Sequence, residues 1–305
     1  MLMRIVLFSF IWASVAAANT LMNARPCYAE TMAINVFNEP GAGSVNSYWL
    51  TAPAGVVVID AQRTPSSAKK LARQIKATGK TVMGIIITHP HPDHTRGLAI
   101  LAKEFPHAPI YSSQATLDSM KADKLHYFPS DLPMPNKIIE PKGALVVGGI
   151  KFKADEIGAG EAEAMTVLYM PEKNIVFSSD VISGHQMTPY LAEGRSGAWL
   201  KQLEAISAEC LKTKIVYPGH GASGSPQELI SAQKEYIVRF RSLIGKQLKN
   251  GMISPESKQA IVSEMERRYP NYLPVAFVPQ IIETNRQLLG LNVDAVAKEL
   301  AQERH

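Results

Sequence analysis

The chain has 305 residues, 46% of them hydrophobic and 19% charged, which is an ordinary globular balance with room for one large domain or two small ones. Its formal net charge of +5 comes from lysines and arginines scattered along the sequence, so the electrostatic case for a nucleic-acid partner is weak. Two cysteines, Cys27 and Cys210, are too few to build a disulfide scaffold.

The first stretch, MLMRIVLFSFIWASVAAANT, carries Arg4 as its only charge, an apolar run from Ile5 to Ala18, and small residues at Ala16 and Ala18. That layout predicts a secretory signal peptide over residues 1–18, with cleavage after Ala29 as the alternative, and hence an exported, periplasmic or secreted protein. The run falls short of the ~20 residues that span a bilayer. No stable membrane span is expected after processing.

Beyond the leader, MAINVF, SVNSYWL and GVVVIDA are rich in β-branched and aromatic residues and are separated by Pro/Gly turns, so they read as strands. From Pro65 the period becomes helical, with Ala68, Leu71, Ala72 and Ile75 on one face and Gly79 as the stop. TVMGIIIT is a buried strand running into a histidine cluster. GLAILAKEF reads as helix, APIYSS as strand and QATLDSMKADKL as helix. The proline-rich segment from Tyr127 to Lys142 reads as an irregular loop able to line or cover a site, with Tyr127, Phe128 and Met134 as an apolar lid.

GALVVGGIKFKADEI and TVLYMPEKNIVFSSD read as hairpins, the second turning at Pro171 to Asn174. GAWLKQLEAISAECL reads as a helix that places Cys210 in the core, and TKIVYPGHG as a strand ending in a loop. Residues 30–225 are expected to form the main domain. Residues 226–305 are expected as a helical extension packed on it, broken at Gly251 to Pro255 and Pro270 to Pro274, with Tyr236, Phe240, Leu243, Ile244 and Leu248 as its apolar stripe. A homodimer through this region is compatible with the pattern. Strands that alternate with helices and also pair as hairpins suggest an α/β sandwich with mixed sheets inside and helices outside.

The segment THPHPDHTRG packs three histidines and an aspartate into six positions of a chain with eight histidines in all. Pro90 and Pro92 hold it extended. His89 and His91, two apart, therefore point the same way and can grip one metal ion. At Asp93 the chain turns toward a helix starting near Gly97, so Asp93 and His94 can be aimed at a second point a few ångströms away. Neutral imidazole and carboxylate suit Zn²⁺.

This stretch resembles the His-x-His-x-Asp-His signature of the metallo-β-lactamase superfamily. Three further motifs are similar to that family's. VVVIDA places Asp60 beneath the histidine loop as a supporting partner, YMPEKNIVFSSD gives Asp180 the role of bridging two metals, and YPGHG gives His220 to the second metal. Flanking glycines let the His220 backbone approach a site closely. The resemblance implies a four-layer αββα sandwich of two mixed sheets, with the C-terminal helices as an extension.

One expected ligand differs. Where the superfamily usually has a histidine before the hairpin strand, this chain has Glu161 in IGAGEAEAMTV, with Glu163 as the alternative. The change has a local likeness to the secreted alkyl sulfatase branch of the superfamily. Two histidines and one glutamate are a recognised catalytic zinc set, and the extra carboxylate also makes manganese or iron easier to accept.

The implied ligands are thus His89, His91 and Glu161 on one divalent ion, zinc first, and Asp93, His94 and His220 on the other, with Asp180 between. The implied activity is hydrolysis of a small ester, lactone, sulfate ester or β-lactam by a hydroxide held between the ions, with Asp93 and Asp180 as catalytic groups. His185 is a candidate substrate contact. The competing expectation is a metal-binding protein without turnover, which the missing histidine supports. Iron redox chemistry is disfavoured by the complete second site, and a nuclease by the leader and the lack of a basic stripe.

Overall fold

The computed structural model describes residues 32–39, 44–124, 126–275 and 284–304. The expected leader, both of its cleavage points and Cys27 lie outside the described residues.

The chain opens with the strands β1 (Ala33–Asn38), β2 (Asn46–Ala52) and β3 (Gly55–Ile59), followed by helix α1 (Pro65–Lys76) and strand β4 (Val82–Ile86). A one-turn helix α2 (Pro92–Thr95), helix α3 (Leu98–Glu104), strand β5 (Ile110–Ser113), helix α4 (Gln114–Ala122) and strand β6 (Lys137–Ile139) follow. These six strands form one sheet in sequence order, antiparallel from β1 to β3 and parallel from β3 to β6.

The second sheet uses β7 (Lys142–Val147), β8 (Ile150–Glu156), β9 (Thr166–Met170) and β10 (Ile175–Ser179). After β11 (Met187–Thr188) and α5 (Ser196–Glu209), strand β12 (Ile215–Pro218) returns to lie parallel beside β10, giving the order β12-β10-β9-β8-β7. Helices α6 (Pro226–Gln247) and α7 (Pro255–Arg268), strand β13 (Leu273–Pro274) and helix α8 (Asn285–Glu303) close the chain.

Period-two alternation explains the layering. In β3, Val57 and Ile59 enter the cluster between the sheets with Leu168, Phe152 and Phe177, while Val56 and Val58 face Leu71, Ile75 and Leu98 of the helices outside. In β9, Leu168 and Met170 face inward, and Val167 and Tyr169 meet Trp199, Leu203 and Ile237 on the other side. Both sheets are mixed and both outer faces carry helices, which is the expected αββα order. Each fully buried Leu, Ile or Phe contributes about 1.5–3 kcal/mol.

Helix α1 shows how local signals set an element. Thr64 accepts the Ser67 N–H as N-cap, Pro65 opens the helix, and Ala68, Leu71, Ala72 and Ile75 are buried. Gly79, at φ +67°, ends the connection where an L side chain would be strained.

In the last part of the chain, α6 buries Leu229, Tyr236, Ile237, Phe240 and Ile244 in the layer that also holds Cys210, Ile261 of α7 and Val293 of α8. Among the described residues, no helix is long and apolar enough to cross a membrane.

Two stretches differ from the sequence reading. Residues 137–139, read as loop, extend the first sheet as β6, with the Asn136 side chain accepting the Ile110 N–H at 3.1 Å. A three-residue strand is too short to show periodicity. The proline break near Pro274 is itself a strand, pairing in parallel with β11 at Met187 and Thr188. No local pattern announces a two-residue bridge between segments so far apart.

Candidate metal centre

Asp60 follows β3, the histidine segment follows β4, Asp180 follows β10 and His220 follows β12. β3 runs parallel to β4 in the first sheet and β10 parallel to β12 in the second, so the groups gather at the carboxyl ends of strands, where open α/β folds place ligands. His91 is the N-cap of α2 in extended backbone, and Pro92 opens its single turn. The His89 and His91 rings lie with centroids 4.8 Å apart.

Two four-residue sets of candidate ligand atoms result, each drawn within 4.8 Å: His89, His91, Glu161 and Asp180, and Asp93, His94, Asp180 and His220; a smaller group, Asp60, His89 and His94, lies beside them. Asp180 belongs to both four-residue sets. All seven side chains are buried.

Each histidine has one ring nitrogen tied to the surrounding protein and the other turned inward. His89 Nδ1 meets Ser179 Oγ at 2.9 Å, leaving Nε2 without a hydrogen bond. His91 Nε2 meets Glu193 Oε1 at 2.8 Å, and its Nδ1 lies 3.3 Å from Glu161 Oε1. His94 Nδ1 meets Asp60 Oδ2 at 2.8 Å, and its Nε2 lies 3.3 Å from Asp180 Oδ1. His220 Nδ1 donates to the Ser44 carbonyl, and its Nε2 lies 3.1 Å from Asp180 and 3.2 Å from Asp93. Outer partners of this kind fix the tautomer and the ring angle of a metal-binding histidine.

The buried charges perturb one another strongly. Burial and the neighbouring His94 hold His89 well below the usual imidazole range. Burial pulls His220 down, but Asp180 and Asp93 outweigh it and push it up to about 10. His94 is likewise raised well above its ordinary value, against burial, by Asp180, Asp60 and Asp93. Burial raises Glu161, and His91 opposes it only in part.

The side chains fit a divalent cation. His89 Nε2, Asp93 Oδ1, Glu161 Oε2 and Asp180 Oδ1 are buried and make no hydrogen bond, and such atoms are costly without a partner. Asp60, Asp93, Glu161 and Asp180 are four buried carboxylates whose ion-pair partners among the described residues are histidines. Buried charge without compensation is strongly unfavourable. Two divalent ions would balance four negative charges.

The backbone is shaped around the site. Asp60 and Ser179 hold positive φ angles of 62° and 50°, conformations that cost about 1–3 kcal/mol each and persist where the surroundings impose them. Asp60 repays this by accepting the Thr88 N–H at 3.0 Å and meeting His94. A Cβ at Gly219 would stand 1.8 Å from Asp180 Oδ1. Only glycine leaves room there for the shared carboxylate.

Glu161, 3% exposed, joins the first set, whereas the alternative Glu163 bonds Ser119 and Lys124 at 2.9 Å with its side chain 42% exposed. The two do not point the same way because residues 160–164 run through bends rather than extended strand. His185, the candidate substrate contact, stands exposed 3.6 Å from Glu228 of α6, outside both sets. It lies in a loop whose direction no spacing in the sequence reveals. Tyr127 and Phe128 do line a cavity beside His91, while Met134 packs under the first sheet's helices.

Sequence reasoning missed Ser179, Glu193 and Arg195. Arg195 pairs with Glu193 and donates to the carbonyls of Gly160 at 3.1 Å and Glu161 at 3.4 Å, tying the Glu161 bend to the partner of His91. Ser179 was findable as the neighbour of Asp180. Nothing local marks Glu193.

A family model described as the metallo-β-lactamase superfamily matches residues 40–220, more than half of the chain. The chain belongs to the metallo-β-lactamase superfamily. It is 26% identical over 161 residues to a metallo-β-lactamase type 2 of Bacteroides fragilis, covering 52% of this chain and 61% of that one. It is also 26% identical over 110 residues to an exodeoxyribonuclease of Bacillus anthracis, covering 36% and 39%. The chain thus spans under two thirds of either relative.

A solved metallo-β-lactamase from Pontibacter korlensis superposes with a TM-score of 0.58 at 20% identity, covering 68% of this chain and 95% of that one, and shares the superfamily's layered fold. The superfamily match ends at His220, so α6, α7 and α8 lie beyond it.

Proposed function

We propose that the protein is an exported metal-dependent hydrolase of a small ester, lactone, sulfate ester or β-lactam. His89, His91 and Glu161 would hold one divalent ion, Asp93, His94 and His220 another, and Asp180 both. Zinc suits this donor set, and manganese or iron would be accepted most readily beside Glu161. The observation that carries the reading is the pair of buried ligand sets sharing Asp180, with every histidine anchored through its outer nitrogen.

Such ions lower the pKa of bound water from about 15.7 to about 7 and polarise an electrophile. The chain's own groups do the rest. Asp60, Ser179 and Glu193 hold the imidazoles in their working tautomers. Asp93 Oδ1, buried and without a hydrogen bond, orients the attacking water and can hold its proton. Burial of the cluster keeps bulk water away from the reacting atoms.

The test is metal analysis followed by a substrate panel of lactones, β-lactams, phosphodiesters and alkyl sulfates. Two ions per chain, with turnover lost in His91→Ala, are expected. Full turnover in both His91→Ala and Asp180→Ala overturns the reading. A second reading, metal binding without turnover, is favoured by the glutamate at position 161 and is supported if a fully loaded protein turns over nothing in the panel. Export rests on the leader-like first segment. A mature N-terminus at Asn19 or Glu30 in the periplasm or medium is the expected result.

A further inference from the structure

A cavity of about 580 Å³ adjoins the metal-ligand cluster, with His91 in its wall. Its size falls in the range of small-molecule sites. Its lining includes three aromatic rings, Tyr127 and Phe128 after α4 and Tyr190 before α5, and the α8 residues Leu291, Asp294, Ala295 and Lys298. Tyr127, Tyr190 and Leu291 pack around one apolar cluster with Leu288. Part of the lining therefore comes from a helix beyond the segment the superfamily model matches.

The charges of this cavity are almost all committed. Lys124 pairs with Glu163, Arg195 with Glu193, and Asp294 with Lys258 at 2.6 Å. Asp123 accepts the backbone N–H groups of Tyr127 and Phe128 at 2.6 and 3.1 Å. Lys298 has no hydrogen-bond or ion-pair partner among the described residues. Lys298 is thus the one lining cation left without a partner, as Asp123 is the one lining carboxylate without a cation, and Asp294 stands between Leu291 and Lys298 with its charge taken by Lys258. Leu291 and Lys298 are seven residues apart on one helix face, about 10 Å along the axis.

We propose that this cavity is the substrate chamber of the hydrolase and that α8 selects substrates with an apolar body of about 10 Å ending in an anion, which Lys298 receives. Leu291 and the three aromatic rings take the body, and Lys298 takes a carboxylate or sulfate at its end. The inference rests on the hydrolase reading for its chemistry and on the cavity alone for its binding.

The test compares, on the metal-loaded full chain, 4-nitrophenyl octanoate with the mono-4-nitrophenyl ester of suberic acid, which adds a terminal carboxylate to the same chain. Wild type is expected to prefer the suberate ester at least tenfold in kcat/KM, through KM. Lys298→Ala is expected to bring the ratio near one, and Lys298→Arg to restore it. In parallel, calorimetric titration with suberic monoamide and with octanamide reads binding without turnover, and Lys298→Ala is expected to weaken only the former by about tenfold.

If wild type cleaves neither ester but binds the monoamide through Lys298, the hydrolase reading fails and the chamber stands. If both esters are cleaved alike and Lys298→Ala changes neither ratio nor binding, the chamber inference is overturned and the hydrolase reading stands. Binding of neither amide, with or without ester turnover, also overturns the chamber.

Discussion

The two halves of the site are built by different means. Around Asp93, His94 and His220, support comes from residues next to strand ends: Asp60, just after β3, takes His94, and the carbonyl of Ser44, two residues before β2, takes His220. The Asn46 side chain, on β2, further donates to the carbonyls of Pro218 and Gly221 at 2.9 and 2.8 Å, which pins the His220 loop. In the other half Ser179 of β10 holds His89, but around His91 and Glu161 support comes from loop side chains, Glu193 and Arg195, whose side chains are 21% and 24% exposed. The first arrangement is anchored beside strand ends. The second lines the cavity, so under the proposed function the Glu161 half is where changes in metal affinity and metal choice are expected first.

The sharpest break is at the group both halves share. Asp180→Ala removes a ligand from each set, and elemental analysis is expected to show loss of both ions, with turnover reduced more than about a thousandfold. Gly219→Ala tests the same carboxylate from behind, because its Cβ would occupy the space of Asp180 Oδ1. A loss of about a hundredfold in turnover is expected, with an unchanged melting curve as evidence that the fold survives.

Glu161→Ala separates the halves. One ion of two is expected to become weakly held in chelator competition, whereas Glu163→Ala leaves retention unchanged; the opposite result moves the ligand by two residues. Glu193→Ala is expected to weaken the same ion about 10–100-fold and Glu193→Gln by much less, since the amide oxygen still accepts from His91. Smallest of all is a control outside both halves: burial pushes the Cys210 thiol up, so its alkylation at neutral pH is expected to run at least about tenfold slower in the folded protein than in urea.

The same contrast governs what could be read from residues alone. THPHPDHTRG was legible because the proline-held backbone carries its geometry within six positions, and strands such as β3 were legible because alternation sorts side chains between layers. Asp60 could be placed under the histidines through the family likeness, yet its positive φ and its bond to His94 are tertiary facts. The position of His185, outside both ligand sets and 3.6 Å from Glu228, could not be read from its loop.

By itself the sequence determined the candidate ligand types, the order of strands and helices, and the pairing of His89 with His91, since each follows from spacing over a few residues. Tertiary structure alone decided that Glu161 rather than Glu163 meets His91, that Ser179, Glu193 and Arg195 brace the ligands, and that α8 walls the cavity. The physical reason is range. Backbone geometry propagates over a turn or a strand, whereas contacts between residues a hundred positions apart exist only once two sheets and their helices have closed on a common core.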